Sequence, residues 1–302
     1  MEMGRLSRYG LHLFFFLAFA ITWSAQIPAY VAARNRGEQL SNEANVRHVG
    51  DLFRGTLEPD FAPFVLLFCF SFGPTLAGII TTVLFKGRNG LRDLFARAVK
   101  YRIPFNWILV ILLIPLGLSL ASLVVGYVLS GFQPLRFSFL VPVSLFVPFL
   151  LYMIIFTGLA EEVGWRGYAL PELQNRYSAE RASWILGIFW GLWHIPSNLL
   201  MPYLRGELTV PFAVSILLGL TFGIVGWTIV LTWIYNNTTS LFWIIILHGF
   251  SNTVQSYLVL SSNNYMAQVA YGVLPWAIAV YVLKRYGAQT LARPAQVEAS
   301  AS

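Results

Sequence analysis

The chain has 302 residues, 57% of them hydrophobic and only 11% charged, with a mean hydropathy of +0.65 and a net charge of +7. A soluble domain is nearer half apolar and a quarter charged, so that class is excluded and an all-α, polytopic integral membrane protein is expected. The positive charge does not point to nucleic acid, because Lys and Arg gather at the ends of apolar runs, as membrane topology requires.

A bilayer core of about 30 Å needs roughly 20 helical residues. Residues 9–33 lack Asp, Glu, Lys and Arg and follow Arg5 and Arg8. The run is longer than the apolar core of a signal peptide and reads as a retained first span. Residues 34–60 form a long loop of mixed charge, expected outside and partly without structure. Span two covers residues 61–85 and holds the single cysteine, Cys69, which reads as a small apolar packing residue. The stretch "KGRNGLRDLFARAVKYR" carries Lys86, Arg88, Arg92, Arg97, Lys100 and Arg102 against one acid, Asp93. It belongs in the cytoplasm, and its apolar residues at helical spacing predict an interfacial helix.

Residues 103–135, 137–160 and 182–204 hold one span each, and the charge-free run 208–283 divides at "YNNTTS" and "SSNNY" into three. The sum is a bundle of about eight transmembrane helices. Alternation then places both termini in the cytoplasm of a multi-pass protein of the cell membrane. Residues 1–285 form the multi-span domain, and residues 286–302 have the composition of a disordered cytoplasmic tail.

Ionisable residues inside a membrane are costly, so each is a functional candidate. Glu161, Glu162 and Arg166 end span four, in "LAEEVGWRGYALPEL". Glu162 and Arg166 stand at i,i+4 and can pair, which leaves Glu161, rotated about 100°, free for chemistry. His194 and His248 lie well inside spans five and seven, each with an asparagine four residues on, Asn198 and Asn252, and Trp190 sits one turn before His194. The three helices are expected to present Glu161, His194 and His248 around a common cavity.

Neither G-x-S-x-G nor H-E-x-x-H occurs, which removes the serine elbow and the familiar zinc-protease helix. A desolvated glutamate can serve as general base toward water, and a histidine and an amide can hold an oxyanion. Peptide-bond hydrolysis is the natural class. The same groups could instead hold zinc, with Glu161, His194 and His248 as ligands and one open position. A non-catalytic membrane factor, such as a bacteriocin-immunity or scaffold protein, and a proton-coupled transporter are the competing readings.

"EEVGWR", "WGLWHIP" and "HGFSN", in that order and on separate spans, resemble the three signatures of the CPBP intramembrane proteases, the CAAX prenyl protease 2 or Abi family. The resemblance covers about residues 145–259, with Trp190 where the family usually has Phe. It implies a cavity within the membrane, open to the cytosol, and an endopeptidase acting on a membrane-associated, lipidated or CAAX-type peptide. It also implies that Glu161 and His194 activate water, that His248 and Asn252 bind the oxyanion, and that Glu162 and Arg166 support the site. No cofactor is favoured, the partners expected are the bilayer and a peptide or lipidated protein, and the oligomeric state is left open.

Overall fold

The structure is a computed structural model that describes residues 2–70 and 72–292. Every regular element among them is helical. They are α1 (Glu2–Arg36), α2 (Asn42–Arg54), α3 (Ala62–Cys69), α4 (Gly73–Ala98), α5 (Phe105–Leu129), α6 (Val143–Gln174), α7 (Ala179–Trp193), α8 (Val210–Thr238), α9 (Leu241–Val254) and α10 (Tyr265–Tyr286), with short turns between them.

Five helices, α1, α5, α6, α8 and α10, are long and apolar enough to cross a membrane. A sixth span arises if α3 and α4, bent by 56°, count as one. In each of the five, only 28–33% of the most apolar window is buried within the protein. The exposed Leu113, Leu120, Val124, Leu218 and Phe222 suit contact with lipid tails. The count of eight is not reached because the two histidine-bearing helices are short, 15 residues in α7 and 14 in α9. α7 stops where His194 takes φ −78°, ψ 4°, two residues before Pro196, and α9 passes into a π-helical turn at Gln255–Val259. Proline has no N–H to extend the ladder, and π turns inside helices recur at functional sites.

The bundle has two distinguishable ends. At one, Lys100 Nζ donates to the Thr238 carbonyl (2.9 Å) and Lys86 pairs with Glu172 (2.6 Å). At the other, Arg34 Nε donates to the Leu204 carbonyl (3.3 Å) and Ser256 Oγ to Glu43 Oε1 (2.7 Å). α4 runs on into the basic stretch through a kink at Gly87, whose φ of 61° favours glycine. Beyond it Leu94 is buried while Phe95 is exposed, as an amphipathic interfacial helix requires.

Two segments expected to be poor in structure carry contacts of their own. Residues 42–54 of the first loop form α2, capped by Ser41 Oγ, which accepts from Ala44 N, and packed through buried Asn45 and Val46. Residues 288–291 fold back: Ala179 N donates to the Gln289 carbonyl, Asn237 Nδ2 to the Leu291 carbonyl, and Leu291 is fully buried. Both segments are polar in composition, and both are held by backbone hydrogen bonds that composition does not register. The rest of the expected tail, residues 293–302, lies outside the described residues.

Two apolar clusters meet along α6. Phe149, Tyr152 and Met153 belong to one, with Tyr30 and Phe68, whereas Val163, Trp165 and Tyr168 belong to the other, with Leu186, Ile229 and Leu247. Glu161 and Glu162 fall between them.

Candidate active site

α6 is regular only over Ala160–Gly164 at this point, with π-helical turns on either side at Ile154–Leu159 and Trp165–Ala169. The glutamates therefore sit on one short α-helical turn. Its neighbours come very close. A Cβ at Gly164 would stand 2.1 Å from the Pro74 carbonyl oxygen on α4, one at Gly158 2.3 Å from that of Ile245, and one at Gly249 2.6 Å from the Ile154 backbone. Small residues at helix crossings let backbones approach in this way.

Glu162 and Arg166 are fully buried and paired, Nη1 to Oε1 at 2.9 Å. His248 Nδ1 donates to the same carboxylate oxygen at 2.7 Å. The Arg166 guanidinium lies over the Trp190 ring, 4.2 Å from its centroid, and its Nη2 reaches Thr228 Oγ1 at 3.5 Å. Arg166 thus takes up the charge of Glu162, the division between the two glutamates expected from their spacing.

Glu161 is 6% exposed, and its Oε2 accepts from the Trp190 indole at 2.6 Å. The Trp190 carbonyl in turn accepts from His194 Nδ1 at 2.8 Å. A carbonyl only accepts, so the Nδ1 proton is assigned and Nε2 is the open nitrogen of His194. The carboxylate on His248 Nδ1 assigns that ring in the same way.

A cavity of about 250 Å³ is lined by Glu161, Trp190, His194, His248 and Asn252. A smaller chamber of about 80 Å³ also touches Glu161 and His194. Three distant segments of chain therefore bring the Glu161 carboxylate, the two imidazoles and the Asn252 amide to a single chamber. Asn198 is not among the residues lining either cavity, and its Nδ2 donates to the His194 backbone carbonyl at 2.9 Å rather than to the imidazole. Sequence reasoning passed over Thr157, whose Oγ1 accepts from Asn252 Nδ2 (3.2 Å) and donates to the Met153 carbonyl (2.5 Å). Its place one turn before Glu161 could have flagged it. Asn42, which lines both chambers from α2, gave no such local signal.

Residues 143–254 match the family model described as type II CAAX prenyl endopeptidase Rce1-like. The stretch is Rce1-like. The chain is also 36% identical over 141 residues to the CAAX prenyl protease 2 of Methanococcus maripaludis. That alignment takes in 46% of this chain, and the chain spans about half the length of that relative. The resemblance carried by the three motifs is upheld, and with the apolar helices it makes the chain a multi-pass membrane protein. Glu161, Trp190, His194, His248 and Asn252 all fall within the Rce1-like stretch.

Among the described residues no three of His, Cys, Asp and Glu are grouped as ligands. Nδ1 of each site histidine and Oε2 of Glu161 are already engaged. Nε2 of both rings and the second oxygen of Glu161 stay open, and a donated Nδ1–H also accompanies metal-bound histidines.

Proposed function

We propose that the protein is an intramembrane endopeptidase acting on a membrane-associated peptide, with Glu161 as general base. What supports this reading is the convergence of Glu161, His194, His248 and Asn252 on one cavity. Glu161, oriented by Trp190, removes a proton from a water molecule whose other hydrogen is held by His194 Nε2. The water oxygen bonds to the scissile carbonyl carbon, and the electron pair of the C=O bond moves to oxygen. Asn252 Nδ2 and Nε2–H of His248, whose ring is protonated here and balanced by Glu162, donate to that oxyanion. As the carbonyl re-forms, the C–N bond breaks and the proton held by Glu161 passes to the leaving amine. Water is kept out on the far side by the fully buried Trp165, Arg166 and Tyr168.

The chamber's apolar wall, including Leu118, Ile224 and Trp227, suits a lipidated or membrane-resident peptide such as a prenylated CAAX tail. The test uses purified protein in proteoliposomes with a fluorogenic farnesylated CAAX peptide and its unprenylated counterpart. Glu161→Gln and His194→Ala should each abolish cleavage while retaining insertion and the parental melting curve. Cleavage by Glu161→Gln at the parental rate would end the assignment of Glu161 as general base, and no cleavage by the parent would leave the scaffold or immunity reading in its place.

A further inference from the structure

Four residues line both chambers: Asn42, Thr157, Glu161 and His194. Glu161 and His194 are the proposed water-activating pair, and the Thr157 hydroxyl is committed to Met153 and Asn252. Asn42 differs from these three. It lies outside the Rce1-like stretch, on α2, and among the described residues nothing pairs with its side-chain amide.

Its position is nevertheless built. Ser41 caps the helix immediately before it. Glu43, immediately after, accepts from Ser256 Oγ at 2.7 Å, on the turn that continues the helix of His248 and Asn252. Asn45 is fully buried and donates to Cys69 Sγ at 3.4 Å. α2 is thus latched to two walls of the site, with Asn42 at the junction of the chambers. A carboxamide carries a donor and an acceptor side by side and can pair with the C=O and N–H of peptide groups.

We propose that Asn42 is a substrate-binding residue whose amide pairs with the main chain of the peptide beside the scissile bond. It sets which bond lies against Glu161 as the chain passes from the larger chamber to the smaller. The inference rests on the endopeptidase reading and adds to it a contact from outside the Rce1-like stretch.

The test uses full-length protein in proteoliposomes and the fluorescent farnesylated CAAX peptide. In the Glu161→Gln background, adding Asn42→Ala should weaken peptide binding, read by anisotropy, by about five- to tenfold, the worth of one or two neutral hydrogen bonds. In the active background, Asn42→Ala should raise KM by a similar factor and scatter the cut position seen by mass spectrometry, and Asn42→Gln should restore part of both. Glu43→Ala, which removes the acceptor of Ser256 Oγ and loosens α2 without removing the Asn42 amide, should leave the cut position single. Unchanged affinity, KM and cut position in Asn42→Ala overturn the inference. If the parent binds the peptide without cutting it, the endopeptidase reading falls while the affinity comparison still decides Asn42; if it neither binds nor cuts, both fall.

Discussion

Trp190 and Glu161 are joined by a 2.6 Å hydrogen bond from indole N–H to carboxylate. The same tryptophan stacks under Arg166 and accepts from His194, so one side chain and its carbonyl tie together the proposed base, its histidine partner and the neighbouring ion pair. A hydrogen bond to a charged group contributes about 1.5–3 kcal/mol. Trp190→Phe keeps an aromatic ring at the wall, removes the donor and leaves a smaller side chain. It should lower kcat by about tenfold or more, with KM little changed. Steady-state kinetics at full parental kcat would show that the indole does not orient the carboxylate.

Glu162 and Glu161 should separate by stability. Glu162→Gln leaves the fully buried Arg166 and the His248 N–H facing a neutral amide. Removing one partner of a buried ion pair costs about 3–5 kcal/mol. Glu161→Gln keeps an acceptor for the Trp190 indole and should melt near the parent. Thermal unfolding in detergent, followed by tryptophan fluorescence, should rank Glu162→Gln well below Glu161→Gln; equal curves would contradict the assigned pairing.

Gly158 and Gly249 hold α6 against α9, and their spacing fixes the reach from Glu162 to His248. Gly158→Ala and Gly249→Ala should each destabilise by about 1–3 kcal/mol through overpacking and reduce cleavage as the helices part. Gly117 on α5 has open space where its Cβ would go, so Gly117→Ala should be neutral or slightly stabilising. The contrast can be read in one melting series.

The side of the membrane on which α2 lies can be decided by labelling. Both chambers reach α2, at the end of the bundle opposite the basic stretch that carries Arg88 and Arg92. If Lys and Arg set orientation, most of the 20 basic residues lie with that stretch on the cytoplasmic side, and a membrane-impermeant maleimide should label Thr56→Cys from outside and Arg92→Cys only after permeabilisation. The reverse pattern would put α2 on the cytosolic side.

Chelation should have little effect. The proposed mechanism takes its base from Glu161 and its oxyanion donors from His248 and Asn252, with no step that needs a metal. Cleavage in proteoliposomes is expected to survive phenanthroline and exhaustive dialysis, and activity lost and then restored by zinc would replace the glutamate mechanism with a metal one.

Much of the site was legible before folding was considered. Glu161, Glu162, Arg166, His194 and His248 stand out because charge and imidazole are expensive in an apolar run, and the Glu162–Arg166 pair follows from four-residue spacing. Reading failed where local pattern and tertiary contact diverge. Asn198 has the right spacing to His194, yet it bonds the backbone carbonyl, because the helix breaks at His194 and turns the amide away from the ring. α2 looked like a mixed-charge loop, and its two latches, Asn45 to Cys69 and Ser256 to Glu43, connect segments far apart in sequence. The eight-span count assumed unbroken helices where proline and π turns shorten two of them.

Hydropathy and residue spacing were enough to determine a helical membrane protein and the handful of polar groups worth examining, since both depend on neighbours within a turn or two. Which of those groups touch was decided only by the folded bundle: Glu161 with Trp190, Glu162 with both Arg166 and His248, Asn42 beside the proposed catalytic pair. Those contacts depend on how closely glycine-lined helices can approach and where their ladders break, and both are properties of several segments at once.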